Sequence, residues 1–538
     1  MMYKKQNLPE LTLRGLILGS ILTIIFTASN VYLGLKVGLT FSSSIPAVVI
    51  SMAVLSLFKT SNILENNMVQ TQASAAGTLS SVIFVIPGLF MCGYWSEFPL
   101  WQTFMICLCG GGLGVLFTIP LRRAMVVESK LAYPEGRAAA EILKVANKDQ
   151  SNKKGKQGIK EIALGSFIAA IFSLLSNGFK LAASESNFAF IWNKMAFGFS
   201  MGYSLALLGA GYLVGLAGAI ALFVGMFLAW GIFTPYLSNF EFDSAKNAVD
   251  LASSVWSSKV RLIGTGAIAI AALWTLIELL KPVIEGIKEI VKNVKITNQE
   301  KNERTNIDLS LKSIFILFVL MVVGLFITFY SFVEDANLSI YYQMLFSFGF
   351  VGAMPREGMD TSSALAAPQA NLMSTIAQGI FHHNIEWGYM AFGVFVGILM
   401  IIIDKILRRT QKMSLPPLAV GIGIYLPPAV NIPLVIGGIL KFIVMQYLTK
   451  KYAKNSHKEE KLASCEQRGT LFASGLIVGE SIFGVIIAGI TVFSVSMGGS
   501  ENPLALNLAN FHDSELFALI FFVGVVLYFI KRIVKKDA

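Results

Sequence analysis

About 13 stretches of this chain are each apolar over the length that crosses a lipid bilayer, roughly 20 residues for a helix. They are residues 15–35, 40–58, 68–90, 100–121, 161–180, 199–216, 218–236, 260–281, 313–333, 387–403, 432–448, 470–494 and 516–532. Three further stretches, 341–353, 364–381 and 414–430, are shorter, more polar or broken by prolines. The pattern predicts an all-α, polytopic integral membrane bundle of about 13–16 transmembrane helices. Composition points the same way. Only 14% of the 538 residues are charged, and mean hydropathy is +0.66, whereas a soluble domain is about a quarter charged. So few charges cannot cover a surface of this size against water, so the solvent for these stretches is lipid.

Loop charge sets the orientation. With the N-terminus placed inside, loops 122–160, 281–312, 404–412, 450–468 and 531–538 fall inside and hold 31 Lys and Arg. Loops 91–100, 237–258, 331–340, 382–386 and 497–515 fall outside and hold one, Lys246. This segregation is the positive-inside pattern. It places both termini and the loops 122–160, 281–312 and 450–468 in the cytoplasm. The net charge of +11 is therefore a topology signal, not a nucleic-acid footprint. The chain reads as one transmembrane domain, 1–538, in a bacterial inner membrane. No cleavable signal peptide is evident.

Four stretches are more polar or more broken than an anchor needs: 30–50, 65–81, 120–143 and 414–438. Unwound backbone at membrane depth is tolerated only where protein buries it or a wet cavity adjoins it, so such stretches point to a transport path. Each also has a plain packing reading. Gly34 and Gly38 fit a helix-packing notch equally well. Lys36 reads first as a snorkelling interface residue. Gln70 and Gln72 fit interhelical hydrogen bonding as well as a cavity lining. Glu128, Glu135 and Glu141, among Arg122, Arg123, Lys130 and Arg137, fit a solvated cytoplasmic face as well as a site. Glu480 is the costlier feature. It lies mid-span in FASGLIVGESIFG, where a carboxylate costs about 2.5–3.5 kcal/mol on insertion scales. Proton carriage, pairing with a substrate amine or a structural hydrogen bond would each account for it. Glu278 and Asp404 sit at span ends beside Lys281 and Lys405 and read as interface residues.

Enzyme and metal classes find little support. There is no H-E-x-x-H or G-x-G-D motif, and His382 and Glu386 fall in a short loop. The four cysteines lack zinc-ligand spacing to histidine. No cofactor and no metal are expected. GLTFSSSIPAVVIS at 38–51 parallels GIYLPPAVNIPLVIG at 423–437, each with Ile-Pro early in a span. Both precede spans containing QASAAG and FASG, which suggests a parallel internal repeat.

Several blocks together resemble the oligopeptide transporter family, which includes the plant yellow-stripe-like metal-chelate carriers. They are NVYLGLKVGLTFSSSIPA, NNMVQTQASAAG, PLRRAMVVESKLAYPEGRAAAEIL, SALAAPQANLMSTIAQGIF and LPPLAVGIGIYLPPAVNIPLVIGGIL. In the third block Arg137 stands where the family pattern has a small residue or threonine. The resemblance covers most of 15–150 and 364–490. It implies a helical fold with re-entrant or broken helices, and secondary active, proton-coupled transport of small peptides or peptide-like metal chelates. On that reading Asn30, Tyr32, Gln70, Gln72, Gln369, Asn371 and Tyr425 line a central cavity and bind substrate. Glu480 or Glu135 carries the coupling proton or meets the substrate's amino terminus. The partners are a small-molecule substrate and membrane lipid, with no nucleic acid. The chain departs from the family by lacking a Ser-Ser-Asn-Asn-Pro-x-Ser-Gly stretch and a later Asp-x-Lys-Thr-Gly stretch. The shortening falls within 334–364. A passive channel, or a non-transporting short member of the family, are the rival readings.

Overall fold

The computed structural model describes residues 8–37, 43–58, 60–91, 99–122, 153–241, 247–293, 309–334, 387–410, 413–453, 457–497, 503–506 and 514–534, with isolated positions between them. Its elements run α1 Leu13–Val37, α2 Ser44–Leu55, α3 Ile63–Leu79, α4 Ile86–Met91, α5 Leu100–Arg122 and α6 Lys153–Ser173. A β-hairpin follows, β1 Glu185–Trp192 and β2 Met195–Gly202. Next come α7 Leu205–Phe227, α8 Thr234–Ser238, α9 Ala248–Val255, α10 Arg261–Asn293 and α11 Leu311–Glu334. The last are α12 Trp387–Arg409, α13 Pro417–Tyr425, α14 Pro428–Lys451, α15 Lys458–Ser496 and α16 Glu515–Val534. Among the described residues nine helices are long and apolar enough to cross a membrane. This is the expected multi-pass helical membrane bundle. The expected stretches 341–353 and 364–381 lie outside the described residues.

One end of the bundle is basic. Arg532 of α16 pairs with buried Glu161 of α6, and Arg468 of α15 donates to the Arg532 carbonyl at 3.4 Å. Lys441 of α14 pairs with Glu466 of α15 at 3.0 Å. At the same end, Val48, Val49, Ile162 and Leu471 form one apolar cluster that joins α2, α6 and α15. The periphery is the reverse of a soluble protein's. On α11, Phe315, Ile316, Leu320 and Ile327 are all exposed. A stripe of this kind on a helix of membrane length suits acyl chains. α5 packs on α11 through Phe117 and Phe318, ring centroids 6.0 Å apart.

The hairpin is the element the hydropathy pattern hides. The apolar run 199–216 reads as a span, yet it opens as strand β2. Asn193 and Lys194 take positive φ of 48° and 68°, a two-residue turn of the kind that suits hairpin twist. The pairing gives two unlike faces. One carries Trp192 and Met195, Phe190 and Phe197, Phe188 and Phe199. The other carries Ala196, Gly198, Ser200 and Gly202 and seats in the body. There the Ala196 N–H donates to Ser238 Oγ at 2.8 Å, Gly198 lies under Trp230, and Gly202 lies against the Ala429 carbonyl.

The helical run Leu205–Ser238 cannot be straight. Thirty-four residues of helix would extend about 51 Å. Its far end, Ser238, bonds Ala196, only nine residues before Leu205, a reach of at most about 30 Å. The chain folds back at Gly215, where φ 78° and ψ −174° leave the helical region, a conformation essentially reserved for glycine. Leu205–Val214 therefore runs toward the basic end, and the remainder returns to the hairpin. α14 packs beside it at backbone distance: a Cβ on Gly211 would meet the Leu434 carbonyl, and one on Gly437 the Leu208 carbonyl. α13 and α14 make a second break at Leu426-Pro427-Pro428. Prolines 427 and 428 lack donors, and buried Asn431 compensates from one turn into α14. Its Nδ2 donates to the Gly423 carbonyl at 3.0 Å and the Leu426 carbonyl at 3.1 Å. α2 and α14, the two spans of the suspected repeat, both run toward the basic end, where α3 and α15 begin.

Candidate functional site

Phe26 of α1, Ala47 of α2, Ala73 of α3, Ala206 and Leu207 of α7, Leu434 of α14, and Ile477 of α15 form one buried apolar cluster. On the side away from the basic end, about one helical turn on, lie Asn30, Ser43, Ser204 and Glu480, all buried. A polar layer thus rests on an apolar plug. Two of the helices that meet it, α2 and α7, begin there, so their N-terminal N–H groups face the layer. A helix N-terminus carries partial positive charge and unsatisfied donors. Buried in a bilayer, those donors need an acceptor.

Glu480 supplies it for α7. Its side chain is 2% exposed. Ser204 Oγ donates to Oε1 at 2.6 Å and the Ala206 N–H donates to Oε2 at 2.8 Å. Ser204 is itself the N-cap, its Oγ accepting from the Leu207 N–H at 3.3 Å. Serine before an apolar run is a helix-start signal, and Ser204 before LALL carries it. A span taken to begin at 199 conceals that signal. Ser481, next to Glu480, is fully buried, and among the described residues its Oγ has no partner. Among the same residues Asn431 Oδ1 is likewise buried without one. For α2, the N-cap Ser43 directs its hydroxyl instead to the Ala73 carbonyl at 2.9 Å.

The other expected binding residues are dispersed. Asn30 is fully buried, and its Nδ2 donates to the Phe26 carbonyl at 3.0 Å. Gln72 of α3 bonds Ser20 Oγ of α1 at 2.9 Å, ten residues and about 15 Å along α1 from Asn30. That places Gln72 in the α1–α3 seam. Gln70 is half-buried on α3. Tyr32 falls on α1, in a part whose side chains are not described. Gln369, Asn371 and Glu135 lie outside the described residues. Tyr425 ends α13, where Arg261 Nη2 donates to its hydroxyl at 2.8 Å. The guanidinium lies 4.6 Å from the Tyr425 ring centroid and 5.2 Å from that of Trp256. A cation there complements the C-terminus of the half-helix α13, as Glu480 complements the N-terminus of α7. Nothing in its local sequence marks Arg261 for this role. Among the described residues, no group of three or more His, Cys, Asp or Glu could hold a metal ion.

The model of a family described as OPT oligopeptide transporter protein matches residues 10–355 and, in a second piece, 341–491. The chain belongs to this family. A Haemophilus influenzae protein that carries the provisional name of oligopeptide transporter is 40% identical over 638 aligned residues. That alignment covers 94% of this chain and 99% of the relative. A metal–nicotianamine transporter of Arabidopsis thaliana is 25% identical over 320 residues, 53% of this chain and 47% of the relative. The iron–phytosiderophore transporter yellow stripe 1 of Zea mays is 29% identical over 129 residues, 23% and 19% of the two chains. No solved structure matches the chain. Since 94% of 538 residues is about 506, roughly 130 of the 638 aligned columns hold no residue of this family member. The two pieces of the family match meet at 341–355, within the segment where the sequence lacks the two family stretches.

Proposed function

We infer that this family member is a secondary active, proton-coupled carrier of small peptides or peptide-like metal chelates. The observation that carries the reading is Glu480, a buried mid-span carboxylate bound to the N-terminus of a half-length helix above an apolar plug. A carboxylate held this way couples a proton to a conformational change if the two end states of the carrier bind that proton unequally. Protonation removes the negative charge that complements the α7 N-terminus and frees Ser204 and Ala206 to meet a substrate carboxylate or amide instead. The apolar cluster from Phe26 to Ile477 blocks the path on the basic side, so the arrangement suits a state closed toward that side. Asn30, one turn beyond Phe26 on α1 and buried, is a candidate contact from the same layer. Tyr425, with Arg261, suits a flanking contact. Gln70, Gln72, Tyr32, Gln369, Asn371 and Glu135 remain candidate contacts on sequence grounds. The names of the relatives support the substrate class. The segregation of Lys and Arg supports a single membrane domain in a bacterial inner membrane, with both termini and the basic end in the cytoplasm. Membership of a transporter family supports a transport role over an enzymatic one.

The roughly 130 columns without a counterpart favour one rival, a short member that binds but does not transport. Uptake of a labelled tripeptide into proteoliposomes, with and without an imposed inward proton gradient, separates the readings. Gradient-driven accumulation that is lost in Glu480→Gln is the expected result. Downhill leak alone would indicate a channel, no flux a non-transporting member, and full gradient-driven uptake by Glu480→Gln would remove the proton from that residue.

A further inference from the structure

Among the described residues the sheet has two strands, and Ser514 bridges Ala182 just before β1, so β1 is an edge from Glu185 onward. Across a two-residue turn, the closing pair Trp192 and Met195 exchanges backbone hydrogen bonds. The pairs Phe190–Phe197, Phe188–Phe199 and Ser186–Met201 repeat that role down the ladder. The odd-numbered residues of β1, Glu185, Asn187, Ala189 and Ile191, must then turn their N–H and C=O groups outward. The same parity holds on β2, where Ala196 turns its N–H away from β1 to Ser238 Oγ. Among the described residues, nothing takes up the outward N–H groups of Asn187, Ala189 and Ile191.

A row of unpaired backbone groups does not face acyl chains. Glu185 and Asn187 are exposed beside it, with Asn187 Nδ2 donating to Glu185 Oε1 at 3.1 Å. This edge therefore borders water. It also has a direction. The Asn193–Lys194 turn lies at the end far from the basic loops, and β2 leads through Ser204 straight to Glu480. The edge thus descends for about 20 Å from Ile191 to Glu185, toward the polar layer. Next to it stand Phe188 and Trp192, 64% and 67% exposed, an apolar shelf on one side of the strand.

The geometry points to the free edge of β1 as a docking strand for the backbone of an extended peptide. The peptide adds as a third strand. Its N–H and C=O groups pair with those of Asn187, Ala189 and Ile191, and its side chains alternate between the aromatic shelf and the opposite face. Strand addition reads main chain and tolerates varied side chains, which is what a carrier of peptides of differing sequence requires. The inference rests on the peptide-carrier reading above and deepens it.

The test is a backbone N-methyl scan on tetra-alanine, measured as competition for binding to the purified full-length protein in nanodiscs and as uptake in proteoliposomes. In a strand every second N–H points at the edge. Methylation at positions of one parity is therefore expected to weaken binding at least tenfold, and at the other parity less than twofold. Ala189→Pro removes one outward N–H and spares the ladder to β2, and it is expected to weaken tetra-alanine at least fivefold. Binding or uptake of tetra-alanine with no parity in the scan overturns strand addition and leaves the carrier reading standing. The absence of both binding and uptake of tetra-alanine overturns strand addition and removes plain peptides from the carrier reading. The scan uses the wild-type protein, so a folding defect in Ala189→Pro does not blunt it.

Discussion

Glu480→Ala, made singly and together with Ser204→Ala, tests whether the carboxylate holds the start of α7. The side chain is 2% exposed and, among the described residues, accepts from the Ser204 hydroxyl and the Ala206 N–H. Removing it leaves both donors buried, at about 1–3 kcal/mol each, so the single variant should lose about 2–6 kcal/mol. Glu480→Gln keeps one acceptor oxygen and should lose less, about 1–3 kcal/mol. Ser204→Ala removes one charge-assisted bond and the cap to Leu207, about 2–4 kcal/mol in sum. The two residues share a bond, so the double variant should lose less than the two singles combined. A coupling of about 1.5–3 kcal/mol is expected. The assay is unfolding of the purified protein in mixed detergent micelles with rising SDS, followed by tryptophan fluorescence, for all four members of the cycle. Coupling below about 0.5 kcal/mol, the usual scatter between independent sites, would refute the argument that Glu480 caps α7.

Three further outcomes follow from particular contacts. Gly215→Ala places a Cβ at φ 78° and ψ −174° and should cost at least about 1–3 kcal/mol, seen as a lower melting temperature in detergent. An unchanged melt would mean that the run is not reversed there. Asn431→Leu strips the donor from two buried carbonyls, Gly423 and Leu426, at about 1–3 kcal/mol each; the same melt reads it, while Asn431→Gln should recover part of the loss. Arg532→Gln leaves Glu161, 2% exposed, without its cation and should cost about 3–5 kcal/mol. Adding Glu161→Gln should restore much of this, and failure to do so would argue against the pair.

Much of this protein was legible in its residues. Span length and the 31-to-1 split of basic residues between alternate loops demand a multi-pass bundle, because lipid admits long apolar helices and the cytoplasmic face retains Lys and Arg. The blocks around Asn30, Gln72, Pro134 and Pro427 marked the family. Glu480 stood out because a mid-span carboxylate is costly wherever it is placed. The hairpin did not stand out. Strand β2 and the start of α7 are both apolar, and hydropathy does not distinguish an apolar strand from an apolar helix when neither alternates.

What the sequence by itself determined is the solvent, the segregation of basic residues between alternate loops and the list of polar residues too expensive to be idle. Those follow from transfer energies, which belong to each residue wherever it lies. Only the tertiary structure decided which of them meet. It set Glu480 on the first turn of a helix 274 residues away in sequence. It gave Asn431 to two carbonyls across a proline break, Arg261 to the end of α13, and Gln72 to a seam away from the polar layer. Such pairings depend on where the chain reverses, and the reversal at Gly215 is held by backbone contacts with α14 and the hairpin that no local pattern encodes.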